Sequence, residues 1–203
     1  LQKKIGVLSS HEIDSLIHLL IDLCKAIAVL GEASPRAMDA VASLGERMSV
    51  RLLGAILEGA GIKSKAIEST EFIITNAHYQ HAHPDFKVTT EKTRAALDPL
   101  LDVGIVPVTT GFIGATPEGV ITTLGRGGSD YSAAILGAVL PAGEVWIWTD
   151  VDGVMSADPD GPRGRRTRAP GARMNTGRGP HRVAGNLPGC RPAVCCRTPN
   201  LRS

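Results

Sequence analysis

The chain has 203 residues, a hydrophobic share of 43% and a formal charge of +2. That length suits one domain with at most an appendage, and the apolar share suffices for a core. No apolar run reaches membrane-spanning length, and no basic start with a small-residue cleavage site is present, so a cytoplasmic protein without a membrane partner is expected.

Ser9 with Glu12 fits a capping box that opens a first helix. Ile13, Leu16, Ile17, Leu20, Leu23, Cys24 and Ile27 follow at helical spacing, which puts Cys24 in the core. Gly31 ends this helix, and Ser34-Pro35 opens the next, with serine as cap and proline at the first position. Gly45-Glu46 is expected to break that helix and begin another, whose buried stripe would be Met48, Leu52, Leu53, Ile56 and Leu57. Short strands are predicted at 65–67 and 72–75. His78, His81 and His83 follow in an irregular stretch; imidazole is a common metal ligand, but only Asp85 could complete a set, so a solvated loop is expected.

Residues 90–101 read as a helix, and 105–109 as a strand whose Pro107 N–H is not needed in the ladder. Thr116-Pro117-Glu118-Gly119 is a turn that joins 111–115 to 120–124 as a hairpin. Then comes Thr123-Leu124-Gly125-Arg126-Gly127-Gly128-Ser129-Asp130, with Ser129 as expected N-cap and Asp130 in the first turn of a helix carrying Tyr131, Ala134, Ile135, Ala138 and Val139. A glycine-rich loop feeding a helix N-terminus can bind an anion, because free N–H groups and the helix dipole point the same way. Arg126 adds a fork for a carboxylate or phosphate. By itself, such a loop serves equally as a tight turn into a capped helix. A buried strand at 144–148 ends in the polar turn Thr149-Asp150-Val151-Asp152-Gly153-Val154, and ligands of α/β sheets bind at that edge. Helices alternating with single strands predict an α/β fold, a three-layer α/β/α sandwich on a mostly parallel sheet.

Residues 161–203 differ in kind. They hold ten arginines, no lysine and no acidic residue, for +10; the 12 basic and 20 acidic residues before them give −8. Val183, Leu187, Val194 and Leu201 are their only Ile, Leu, Val or Phe, which predicts disorder. Cys190, Cys195 and Cys196 lack zinc-site spacing. Arginine, proline, glycine, alanine and cysteine have GC-rich codons and lysine does not. The reading adopted is therefore a domain of residues 1–160 with an out-of-frame tail, ahead of a nucleic-acid-binding tail.

Three stretches closely resemble aspartate kinase, of the amino-acid kinase family: Gly111-Phe112-Ile113-Gly114, Thr123 through Tyr131, and Trp148-Thr149-Asp150-Val151-Asp152-Gly153-Val154. Upstream, Pro35-Arg36-Ala37-Met38-Asp39 and Ser43-Leu44-Gly45-Glu46-Arg47-Met48-Ser49 also resemble that enzyme. The resemblance implies transfer of the γ-phosphoryl group of ATP, with Mg²⁺, to the β-carboxylate of L-aspartate, within a homo-oligomeric parent enzyme. It implies Arg126 as carboxylate clamp, Glu46 on the ammonium side, Gly127, Gly128 and Ser129 on the acceptor carboxylate or transferring phosphate, and Asp130 as the catalytic aspartate. Thr149, Asp150, Met155, Asp158 and Pro159 match the nucleotide side. Met155 stands where the family often has tyrosine, and Asp160 where an arginine is expected. The family's opening Lys-Phe-Gly-Gly-Thr-Ser motif, whose lysine bridges the phosphates, has no counterpart here, so impaired turnover is expected. A glutamate or acetylglutamate kinase, or a non-catalytic fragment, is the alternative.

Overall fold

The computed structural model describes residues 2–140, 142–148 and 181–183, with side chains described for 11–140 and 142–148. The chain divides into two compact units, residues 1–140 and 141–203, a boundary earlier than the composition change at 160/161.

The first unit opens with α1, Gln2–Leu30. Ser9 and Ser10 lie inside this helix rather than capping it. Gln2, Lys3 and Lys4 are good helix formers, and the single Gly6 costs only about 1 kcal/mol, too little to stop propagation. Gly31 ends it with φ +74°. Cys24 is exposed, not core; of the apolar positions expected to face inward, Leu16 is buried while Ile17 is 40% exposed.

Helix α2, Pro35–Gly59, starts where Ser34 and Pro35 place it, and the Ser34 hydroxyl accepts from the Ala37 amide at 3.2 Å. It runs unbroken through Gly45 and Glu46. A lone glycine is a weak breaker when both flanks are anchored by packing. The face that packs is not the expected stripe: Asp39, Ser43, Leu44, Val50 and Gly54 are buried, while Leu52, Leu53 and Ile56 are exposed. Gly54 allows strand β1, Ser64–Ile67, to approach closely, and the Ser64 hydroxyl donates to the Gly54 carbonyl at 3.0 Å.

β1 pairs in parallel with β2, Val106–Thr109. Parallel strands need a crossover, and α3, Phe86–Asp102, capped by Asp85 at Lys87 and Val88, supplies it. Residues 72–75, expected as a strand, instead follow a 3₁₀ turn, Ser69–Glu71, and make only single bridges from Ile74 to Ala115 and Thr75 to Pro84. Their backbone polar groups are shared among several segments, so no ladder grows. Phe72 and Ile73 are nonetheless fully buried and form the main apolar core with Ile67, Leu97, Leu124, Ile135 and Val139. Each such side chain contributes about 1.5–3 kcal/mol on burial.

The hairpin is as expected. β3, Ile113–Ala115, pairs antiparallel with β4, Ile121–Thr123, and Gly119 closes the turn at φ +80° with its amide on the Thr116 carbonyl. A hydrogen bond from Thr116 holds the Glu118 carboxyl below the usual range. Beneath the hairpin lies a chain of buried hydroxyls. Thr110 Oγ1 accepts from the Ser69 amide at 2.8 Å, and Ser69 Oγ donates to the Ile113 carbonyl at 2.7 Å; with the Ser69 proton so spent, Thr110 Oγ1 donates across the 2.6 Å contact to Ser69 Oγ. Helix α4, Gly128–Val139, completes this unit, and Arg94 of α3 donates to the Val139 carbonyl at its end.

Arg51 on α2 reaches Glu12 of α1 and Glu68 beyond β1, both at 2.8 Å. Burial works to lower the pKa of its guanidinium, but the bonds and charges of Glu68 and Glu12 outweigh it and raise the value. Arg47 Nε also lies 2.9 Å from Glu68, but its N–H is off line for a hydrogen bond, which leaves ionic contact alone.

In the second unit, β5, Val145–Ile147, pairs antiparallel with β6, His181–Val183. The segment expected to be wholly disordered thus contributes one strand. A strand edge offers unpaired N–H and C=O groups that an extended segment of any composition can meet. β5 is half-buried rather than buried, and Trp148 is 64% exposed. The rest of 161–203 lies outside the described residues. Among the described residues there is one parallel strand pair and two antiparallel pairs, and the helix and strand mix is α/β. No described helix is long and apolar enough to cross a membrane, and no described cluster of His, Cys, Asp or Glu could hold a metal, His78, His81 and His83 included.

Candidate functional site

The glycine-rich loop takes its shape from the residues beneath it. Gly125 (φ +82°) and Gly127 (φ +69°) both adopt the left-handed region, and the Gly128 amide closes a turn on the Gly125 carbonyl at 3.0 Å. Gly127, not Ser129, is therefore the N-cap of α4, without a side-chain bond. The turn begins the helix two residues before the serine, and only glycine takes this backbone cheaply. Gly128 is needed for space: a Cβ there would lie 2.6 Å from the Phe112 ring and 3.2 Å from Phe112 Cα.

Phe112 itself sits at φ +66°, a conformation that costs about 1–3 kcal/mol outside glycine and persists only where the surroundings fix it. Its amide donates to Ser132 Oγ at 2.9 Å, its carbonyl accepts from the Leu124 amide at 2.8 Å, and Ser132 Oγ passes its own proton to the Gly128 carbonyl. The start of the hairpin and the first turn of α4 are thereby held as one piece.

Onto this piece α2 brings Glu46. Its carboxylate accepts from the Gly111 amide at 3.2 Å. A Cβ on Gly111 would lie 3.1 Å from Ser129 Oγ, so Gly111 is the point where Glu46 and Ser129 converge. Glu46 is half-buried in mid-helix, not at a helix start as expected. Arg126 and Asp130 are exposed on either side of the Gly127-Gly128-Ser129 run, and neither side chain has a partner among the described residues. The Gly128 amide is taken by Gly125, whereas the Ser129 and Asp130 amides, in the first turn, have no acceptor among the described residues. One carboxylate, one guanidinium, a hydroxyl and free helix-start amides can together hold a ligand with both ammonium and carboxylate groups. Thr149, Asp150, Met155, Asp158 and Pro159 lie outside the described residues.

Two residues here were given no role by the sequence reading, although Asp39 closes the Pro35–Asp39 stretch that resembles the family. Asp39 is 1% exposed, and its carboxylate accepts from the Gln80 amide, the Thr123 amide and the Thr123 hydroxyl. Ser132 joins Phe112 to Gly128. For Asp39 the available signal was its place in the resembling stretch; for Ser132 it was a hydroxyl on the packed face of α4, visible only once that face is known.

A family model described as the amino acid kinase family matches residues 3–168. The chain is 39% identical over 149 residues to the lysine-sensitive aspartokinase 3 of Escherichia coli, covering 73% of this chain and 32% of that protein. It is 39% identical over 136 residues to the aspartokinase of Schizosaccharomyces pombe, covering 66% of this chain and 26% of that one. Among solved structures, E. coli aspartokinase III in complex with aspartate and ADP superposes with a TM-score of 0.68 at 39% identity, covering 74% of this chain and 33% of that chain. The chain thus spans about a third or less of the length of these relatives. With most of its length inside the family model, the chain belongs to the amino acid kinase family.

Proposed function

We propose that this chain carries the aspartate side of an aspartate kinase, which transfers the ATP γ-phosphoryl group to the β-carboxylate of L-aspartate and gives 4-phospho-L-aspartate. The convergence of Glu46, Gly111 and Ser129 beside an unpartnered Arg126 carries this reading. Arg126 clamps a substrate carboxylate with two bonds, and Glu46 faces the ammonium. Ser129 and the free amides of the α4 first turn, rather than the Gly128 amide, hold the acceptor carboxylate or the phosphoryl group in transfer. Phosphoryl transfer asks mainly for positioning and charge neutralisation. Mg²⁺ is commonly held by one or two carboxylates plus the phosphates themselves, and the exposed, unpartnered Asp130 fits that demand; the ion would neutralise phosphate charge. Thr149, Asp150, Met155, Asp158 and Pro159 form the nucleotide side on this reading. The whole would be a three-layer α/β/α sandwich on a mostly parallel sheet, in a cytoplasmic homo-oligomer that serves lysine, threonine and methionine synthesis.

The aspartokinase relatives favour aspartate over glutamate or acetylglutamate. Calorimetric titration with L-aspartate tests the assignment. The protein should bind saturably, and Arg126→Ala should lose about 1.5–3 kcal/mol of affinity, the usual worth of hydrogen bonds to a charged group. Lysine at this position should restore little, because a point charge lacks the fork. Unchanged affinity in Arg126→Ala would remove Arg126 from the site. Hydroxylamine trapping with ATP, Mg²⁺ and either amino acid then checks the acceptor: hydroxamate from glutamate rather than aspartate would overturn the reading.

A further inference from the structure

We propose that Asp39 is a positioning residue that sets the place of Arg126, an inference that rests on Arg126 being the carboxylate clamp. Asp39 is almost fully buried, yet no Lys, Arg or His pairs with it among the described residues. Its charge is met by neutral donors alone. Oδ2 accepts from the Gln80 amide at 2.9 Å and the Thr123 amide at 3.0 Å, and Oδ1 accepts from the Thr123 hydroxyl at 2.7 Å. A buried, ionised acceptor with several donors makes strong, directional bonds. Those donors come from two segments that both abut the glycine loop.

The first is the Gln80-His81 turn. Gln80 holds φ +68°, and its amide is bound by Asp39 alone. A Cβ on Gly125 would lie 2.7 Å from His81 Nδ1 and 3.1 Å from the Gln80 carbonyl oxygen, so this turn is the floor on which Gly125 rests. The second is the end of β4, where Thr123 precedes Leu124, Gly125 and Arg126 in the chain. The Ala82 amide on the Thr123 carbonyl, at 2.9 Å, ties the two segments together. Arg126 therefore leaves a backbone fixed from below and behind by one carboxylate. Asparagine would keep the shape of Asp39 but lose the charge, and its NH₂ would face an N–H donor.

The test uses the full chain with Asp39→Asn, and Thr123→Val as a gentler variant that removes one donor. The ligand-free readout is amide exchange. Exchange at the hydrogen-bonded Leu124 and Gly128 amides should rise at least tenfold in Asp39→Asn relative to amides in α3. Exchange unchanged at these two amides, or raised equally throughout, would overturn the proposal. The ligand readout is a split in affinity: the L-aspartate Kd should rise at least tenfold while the ATP Kd moves less than twofold. Thr123→Val should follow in the same direction and Thr123→Ser should match the parent. Parallel loss of both ligands would mark Asp39 as merely structural and overturn the proposal. Failure of the parent chain to bind L-aspartate would instead refute the functional reading, and the exchange experiment would still decide whether Asp39 holds the loop.

Discussion

Gly114 shows how one hydrogen atom in place of a side chain can hold an arrangement together. A Cβ there would lie 2.7 Å from the Ile73 carbonyl oxygen and 2.9 Å from Thr75 Cγ2. The backbone oxygen cannot swing aside, because it accepts the Ala115 amide at 3.0 Å in the bridge that joins 72–75 to the hairpin. Gly114→Ala should therefore destabilise by about 1–3 kcal/mol, the usual cost of overpacking a filled core. Thermal or denaturant unfolding checks this, and a loss below half a kcal/mol, by the roughly ±0.5 kcal/mol range of surface changes, would show that the two segments separate easily. The motif containing Gly114 was legible in the sequence, but its reason was not, since the obstructing oxygen lies 41 residues upstream.

Helices and hairpin were readable because their signals are local. Ser34 with Pro35, Gly31, and the 116–119 turn each carry their backbone geometry in their own chemistry. The errors came where partners decide. Gly45 reads as a breaker, yet α2 continues through it, and Leu52, Leu53 and Ile56 read as core, yet lie exposed. The helix is apolar on more than one side, so periodicity alone does not say which side packs. Gly45 is thus a helical glycine with nothing within 4 Å of where a Cβ would stand. Gly45→Ala should stabilise the protein by about 0.5–1 kcal/mol, by the helix preference of alanine over glycine. Equilibrium denaturation measures it; a destabilised variant would mean that the helix must yield beside Glu46.

Across residues 1–140, the polar contacts that build the candidate site and the hydroxyl relay beneath the hairpin join distant parts of the chain. Glu46 meets Gly111 across 65 residues, Asp39 meets Thr123 across 84, and Ser69 meets Thr110 across 41. Sequence reading finds the residues of such pairs only through a motif, which is why Glu46, Arg126 and Ser129 were given roles, Asp39 was named only as the end of a resembling stretch, and Ser132 was not named at all. The Ser69–Thr110–Ile113 relay also bears on the order in which the chain assembles. Loops must close before such contacts can form, whereas α2, α3 and the hairpin rest on near neighbours. The relay should then be absent from the rate-limiting barrier and present only on the native side of it. Ser69→Ala strands the Ile113 carbonyl and should cost about 1–3 kcal/mol at equilibrium. That loss should appear almost wholly as faster unfolding, with the refolding rate nearly unchanged. A stopped-flow chevron separates the two, and a slowed refolding arm would place the relay in the folding nucleus instead.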